Sequence, residues 1–153
     1  MTRHYTGGVK LYTIGFTQRT AENFFETLKT AGIDRLIDVR LNNISQLAGY
    51  SKKDDLRYFL QTICGIDYHH ELSLAPTKEM LDTYRAGKIE WSDYEPQFRA
   101  LLRERKVERT LNRDLFAGKP VLLCSEFEAQ HCHRRIVAEY LAKKWGEIEI
   151  MHL

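Results

Sequence analysis

The chain has 153 residues, 43% of them hydrophobic, which suits one domain spanning residues 1–153 with its own core and leaves little for a second. Charged residues make up 29% and the formal net charge is +2, so bulk electrostatics neither requires nor excludes a nucleic-acid partner, and any basic patch has to be local. No apolar run approaches the roughly 20 residues that cross a bilayer, and Met1 to Tyr5 leads into no signal-peptide core, so the expectation is a cytoplasmic protein with no membrane partner.

Val9 to Gly15 is rich in β-branched and aromatic residues and predicts a strand that Gly15 ends. Thr20 is placed to cap a helix whose Phe24, Leu28 and Ala31 recur at helical spacing, and Gly32 supplies its stop. Arg35 to Arg40 reads as a central strand with Asp38 and Arg40 at its carboxyl end, where open parallel sheets bind ligands. Leu41 to Ser51 has no convincing period and is the candidate lid. Ser51 is expected to cap a helix from about Lys52 to Cys64, closed by Gly65, after which Ile66 to His69 forms a short strand ending at the His69-His70 pair.

Pro76-Thr77 opens a helix through Leu81 and Tyr84 to Gly87. From Ser92 to about Phe116 the pattern predicts helix with a break near Val107, and Tyr94, Phe98, Leu101, Leu102, Leu111 and Leu115 face inward. On such a helix Arg99, Arg103, Lys106, Arg109 and Arg113, three or four residues apart, make one exposed basic stripe. Val121 to Cys124, behind Pro120, reads as a strand covered on both faces; Ile136 to Trp145 is helical, and Glu147 to Leu153 alternates as a terminal strand. Strands alternating with helices imply a three-layer, Rossmann-like α/β sandwich with a mainly parallel sheet of four to five strands.

The densest chemistry lies between the Val121 strand and the Ile136 helix, where Cys124 is followed within ten residues by Glu126, His131, Cys132, His133 and Arg134. Three cysteines, an odd number, in a chain without an export signal argue for thiols or metal ligands rather than a disulfide framework. Tyr12-Thr13-Ile14-Gly15, Asp38-Val39-Arg40 and Cys124-x-Glu126-x5-Cys132-His133-Arg134 together resemble the family called domain of unknown function 488, in order and spacing, from about Leu11 to His152. The resemblance implies a fold and a site location but no reaction. Where the family's pattern is Thr-Ile-Gly-His-Ser, this chain has Gly15-Phe16-Thr17, so no histidine role carries over, while the Thr17 hydroxyl can replace the serine.

Three chemical readings compete. Cys124, at a strand end facing a helix amino terminus and near Arg40 or Arg134, is placed to be a nucleophilic thiolate, although its spacing is not the Cys-x5-Arg loop of tyrosine phosphatases. Cys124, Cys132 and His133, with His131, His69 or His152, offer donors for zinc or iron, but no Cys-x-x-Cys pair exists. Asp38 or Glu126 can act as general base while Arg40 and Arg134 hold an anion, provided their strands are neighbours; the bland counterpart is an Asp38–Arg134 or Glu126–Arg40 ion pair that only fastens strand ends.

The leading expectation is a small enzyme acting on a nucleotide or nucleic acid, with N-glycosidic hydrolysis the first reaction to test. Its catalytic candidates are Asp38, Glu126, Cys124 and His133; its substrate-binding candidates are Thr17, Arg40, Arg134 and Tyr50; Arg99, Arg103, Lys106 and Arg109 form the nucleic-acid track. No cofactor, metal ligand set or oligomeric state is assigned. The alternative is a non-catalytic module sensing metal or redox state through Cys124 and Cys132.

Overall fold

Pro120–Cys124 is apolar throughout and buried at every position, which only a central strand covered on both faces allows. In the computed structural model, which describes residues 9–43, 49–126 and 129–153, this strand (β4) lies between β1 (Val9–Gly15) and β2 (Arg35–Asp38), with β3 (Asp67–His70) and β5 (Ile148–His152) at the edges. The order is β3-β2-β4-β1-β5 and every ladder is parallel.

Alternation along the strands sorts the side chains into two cores. Leu11, Ile37, Val39, Leu122 and Cys124 pack with Phe98 and Leu102 of α4 (Trp91–Arg105) and with Ile136, Val137 and Leu141 of α6 (His133–Trp145). Tyr12, Ile14, Leu36, Val121 and Leu123 pack on the other face with Phe24, Phe25 and Leu28 of α1 (Ala21–Ala31) and Leu56 of α2 (Lys53–Phe59). The result is a three-layer α/β sandwich. Each fully buried aliphatic side chain contributes about 1.5–3 kcal/mol, so the two cores carry most of the stability.

The chain leaves β1 toward β2 and leaves β4 toward β5, in opposite directions across the sheet. The two connections therefore pass one another on opposite faces of the sheet, α1 on one and α6 on the other, after leaving the carboxyl ends of β1 and β4, where Gly15 pairs with Cys124, and such a switch point is where parallel sheets leave a crevice.

Local signals account for the helix ends. Thr20 accepts from the Asn23 amide at 3.1 Å, and Gly32 closes α1 with φ +70°. Thr77 likewise caps the next helix, α3 (Lys78–Arg85). Ser51 is not a cap: Lys52 takes that position without a side-chain bond, and Ser51 is buried with its carbonyl accepting from Arg40 at 2.7 Å. After α2 the chain widens into a π turn over Leu60–Cys64 before Gly65 turns it.

The predicted basic stripe does not exist as one face. Lys106 adopts a left-handed backbone (φ +52°) that ends α4 before the short α5 (Val107–Thr110), so positions beyond it are rotated out of phase. Arg99 is bonded to Glu139 at 2.5 Å, and Arg113 lies over the Trp145 ring at 4.7 Å. Much of the expected lid falls at residues 44–48, outside the described residues. Among the described residues no helix is long and apolar enough to cross a membrane.

Candidate active site

The end of β4 is gripped from β1. A Cβ on Gly15 would lie 1.5 Å from the Glu126 carbonyl oxygen, so only glycine lets the chain after Cys124 cross over β1 at this distance. Thr17 holds the same crossing, its amide and its hydroxyl both donating to the Ser125 carbonyl, at 3.0 and 2.5 Å. Arg134, buried in the first turn of α6, donates to the Glu126 carbonyl, to Thr13 Oγ1 at 3.3 Å and to Cys132 Sγ at 3.6 Å. Thr17 and Arg134 thus fix the loop that carries Cys124.

α6 begins three residues earlier than its apolar period suggests, because Cys132, in extended conformation, takes the N-cap position. His133 then points back to the sheet, with Nε2 2.8 Å from the Val39 carbonyl and Nδ1 3.2 Å from Cys124 Sγ. A carbonyl only accepts, so Nε2 carries the proton and Nδ1 presents its lone pair to the thiol. Burial acts to raise the Cys124 pKa, but the Cys132 thiol, the Ser125 and Glu126 amides and the Arg134 charge outweigh it and hold it below the ordinary thiol value. Cys132 is pushed the other way, well above that value, first by burial and then by its neighbour Cys124.

Cys124, Cys132 and His133 keep their donor atoms within 4.8 Å of one another and are the set of described residues able to hold a metal. Two other histidines considered as ligands point elsewhere: His152 bonds Thr13 at 2.5 Å, and His69 bonds Glu71 at 2.9 Å. A cleft of about 90 Å3 opens onto the trio. Its far wall is Tyr84, Arg85, Trp91, Tyr94 and His131, and Arg40, Leu41, Asn42, Leu81, Ser125 and Glu126 complete the lining. His131 stacks on Trp91 with ring centres 5.2 Å apart.

Asp38 and Arg40 were expected to share this pocket with Glu126 and Arg134. Their strands are indeed adjacent, but along β2 the side chains of Ile37 and Val39 go to the Cys124 face, so the intervening Asp38 goes to the opposite one. There it binds its own neighbour: Arg40 Nε and Nη2 each donate to an Asp38 oxygen at 2.9 Å, the Arg40 amide adds a third bond at 3.1 Å, and Tyr68 donates at 2.6 Å. Both residues are almost wholly buried, 0% and 3% exposed. Neither strand-end ion pair anticipated from the sequence forms among the described residues; the pair is Asp38–Arg40. Tyr50 lies beyond it, its hydroxyl within 3.1 Å of the Phe16 and Arg19 carbonyls and its ring against Phe24 and Phe25.

Of the sequence candidates, the cleft receives Cys124, Glu126 and His133 and touches Arg40, whose guanidinium is tied to Asp38, while Asp38, Thr17, Arg134 and Tyr50 are not in its lining. Cys132 gains a place in it, as do Tyr84 and Arg85, which nothing in the local pattern marked; they arrive because α3 packs against α4 beside the switch point.

Fold and site together define a doubly wound parallel α/β domain with a cysteine–histidine pair at its switch point. The chain belongs to the family described as domain of unknown function DUF488, which matches residues 20–141 and so includes every residue of the Cys124–Arg134 segment. No curated protein and no solved structure matches the chain.

Proposed function

We propose that the protein is a thiol-dependent hydrolase or transferase in which Cys124 is the nucleophile and His133 its base. The observation that carries this reading is the His133 ring fixed between the Val39 carbonyl and Cys124 Sγ, the nucleophile–base–orienter arrangement that covalent catalysis requires. His133 Nδ1 takes the thiol proton, the thiolate attacks an electrophilic carbon, a carbon–sulfur bond forms as the bond to the leaving group breaks, and the leaving group departs with the proton that His133 returns. Water or a second acceptor then resolves the intermediate. Asp38, saturated on the other face of the sheet, has no part in the chemistry.

A nucleotide remains the substrate class to test first, with N-glycosidic cleavage as the reaction. The aromatic wall offers a stacking surface, and exposed Arg85, without an ion pair among the described residues, offers a phosphate contact. The cleft of about 90 Å3 is well below the roughly 300 Å3 of a whole-ligand site, so only the reacting group enters and the remainder lies along the rim. Arg103 stands about 18 Å along α4 from Trp91 at 1.5 Å per residue, out of reach of a bound mononucleotide. A polymer alone would touch both.

The test is a panel of nucleosides, nucleotides and short oligonucleotides followed by mass spectrometry of quenched reactions. A Cys124 adduct in the wild type, absent from Cys124→Ser, is expected. Full turnover by Cys124→Ser on any substrate found contradicts the reading.

A further inference from the structure

We propose that Cys124, Cys132 and His133 form a binding site for one thiophilic divalent cation of the zinc class, with a fourth position open to the cleft. Two thiolates and one imidazole are soft and borderline donors, and three protein ligands with one open position is the donor count of reactive rather than purely structural zinc sites. In a tetrahedral site with Zn–S near 2.3 Å and Zn–N near 2.0–2.1 Å, neighbouring donors lie about 3.5–3.8 Å apart. Here Sγ of Cys124 and Nδ1 of His133 are 3.2 Å apart and all three donor atoms lie within 4.8 Å, so small side-chain rotations bring them to ligand spacing.

Three further features fit. The Nε2–H···O=C bond from His133 to Val39 at 2.8 Å is the outer contact that sets the tautomer of a metal-bound histidine and leaves Nδ1 to ligate. All three residues are buried yet line the same cleft, which gives an ion an entry path and a place for a water or substrate atom. Two thiolates neutralise a divalent charge in a site of low polarity, where an uncompensated ion is costly.

The inference uses the side chains of the proposed thiol chemistry and adds a control on it: a bound cation occupies the Cys124 sulfur, so the loaded protein is inactive and a chelator restores it. The experiment is titration of chelator-stripped, tag-free protein with Co2+, read by its thiolate-to-cobalt charge-transfer absorption, followed by displacement with Zn2+. One equivalent is expected to bind, releasing protons as thiols deprotonate. Cys132→Ser and His133→Ala are each expected to weaken binding by more than the roughly 10–100-fold that an outer-shell change costs, whereas Cys64→Ser leaves it intact.

Because the buried substitutions can disturb folding, a second measurement uses the wild type alone: Zn2+ should protect Cys124 and Cys132 from alkylation while Cys64 still reacts. Sub-stoichiometric cobalt without charge-transfer intensity, or alkylation of Cys124 unaffected by zinc, overturns the proposal. Failure of the catalytic reading looks different. A metal-binding protein whose Cys124→Ser variant keeps full turnover contradicts the nucleophile and leaves the cation site standing, and a metal-free protein abolished by Cys124→Ser does the reverse.

Discussion

The carboxyl end of the sheet presents two clusters of polar residues on opposite faces, and they are built on opposite principles. On the α2 side, Asp38, Arg40 and Tyr68 use nearly all of their hydrogen-bonding capacity on one another and on the Ser51 carbonyl, leaving only Arg40 Nη1 without a partner among the described residues. On the α6 side, Cys124, Cys132 and His133 share few partners and face a cleft. A buried ion pair whose members are mutually satisfied is a fastening, costly to break and chemically idle. A buried thiol against a single oriented imidazole has reactivity to spare. Charged residues at strand ends are thus a poor guide to chemistry unless their partners are known.

This contrast predicts a separation of effects. The largest is on turnover: Cys124→Ser should reduce activity on any substrate found by at least about a thousandfold while the melting temperature changes little, since the pair splits one difficult step into two. The mirror experiment is Asp38→Ala, which leaves a buried guanidinium uncompensated and should cost about 3–5 kcal/mol, or roughly 10 °C in melting temperature. Thermal melts and alkylation rates of Cys124 check both, and an Asp38 variant that melts normally would sink the idea of a fastening.

Gly15→Ala sharpens the comparison in a different way, because its Cβ meets the Glu126 carbonyl and must displace the loop behind Cys124. A shift of about 1 Å costs about a hundredfold in rate, so turnover should fall by that order, more than stability does. Replacing Arg103, Lys106 and Arg109 together should leave turnover of a mononucleotide unchanged and weaken only the salt-dependent binding of a polymer.

The smallest effect lies away from both clusters. Burial acts to raise the Glu139 carboxyl, but hydrogen bonds from Arg99 and Arg135 outweigh it and hold it below the usual value. A depressed folded pKa contributes stability above the unfolded value, about 4.3, that is lost as the pH falls through the folded one. The wild type should therefore lose more melting temperature on acidification than Glu139→Gln does.

The sheet and most helices were legible because burial imposes period: β4 reads as apolar on both faces and α1 carries both its cap and its glycine stop. The site was legible as a place, since Cys124, Cys132 and His133 crowd one strand-to-helix junction. Its division between faces was not. That Asp38 and Cys124 point apart depends on the registers that pair Ile14 with Leu123 and Asp38 with Leu123, and register is a tertiary fact. The same holds for Tyr84 and Arg85, which reach the cleft only through helix packing. The basic stripe failed for a local reason: the left-handed turn at Lys106, the break that the pattern placed near Val107, carries Arg109 and Arg113 out of phase with Arg99.

The most direct test of the central claim compares two thiols in one molecule. In chelated buffer at neutral pH, alkylation is followed site by site by mass spectrometry in the wild type and in His133→Gln. Cys64 is the more exposed of the two, yet burial pushes its thiol up while a hydrogen bond ties it to the Phe25 carbonyl. The account predicts that Cys124 reacts first despite its burial and that this advantage disappears with His133. Preferential labelling of Cys64, unchanged by the substitution, would contradict it.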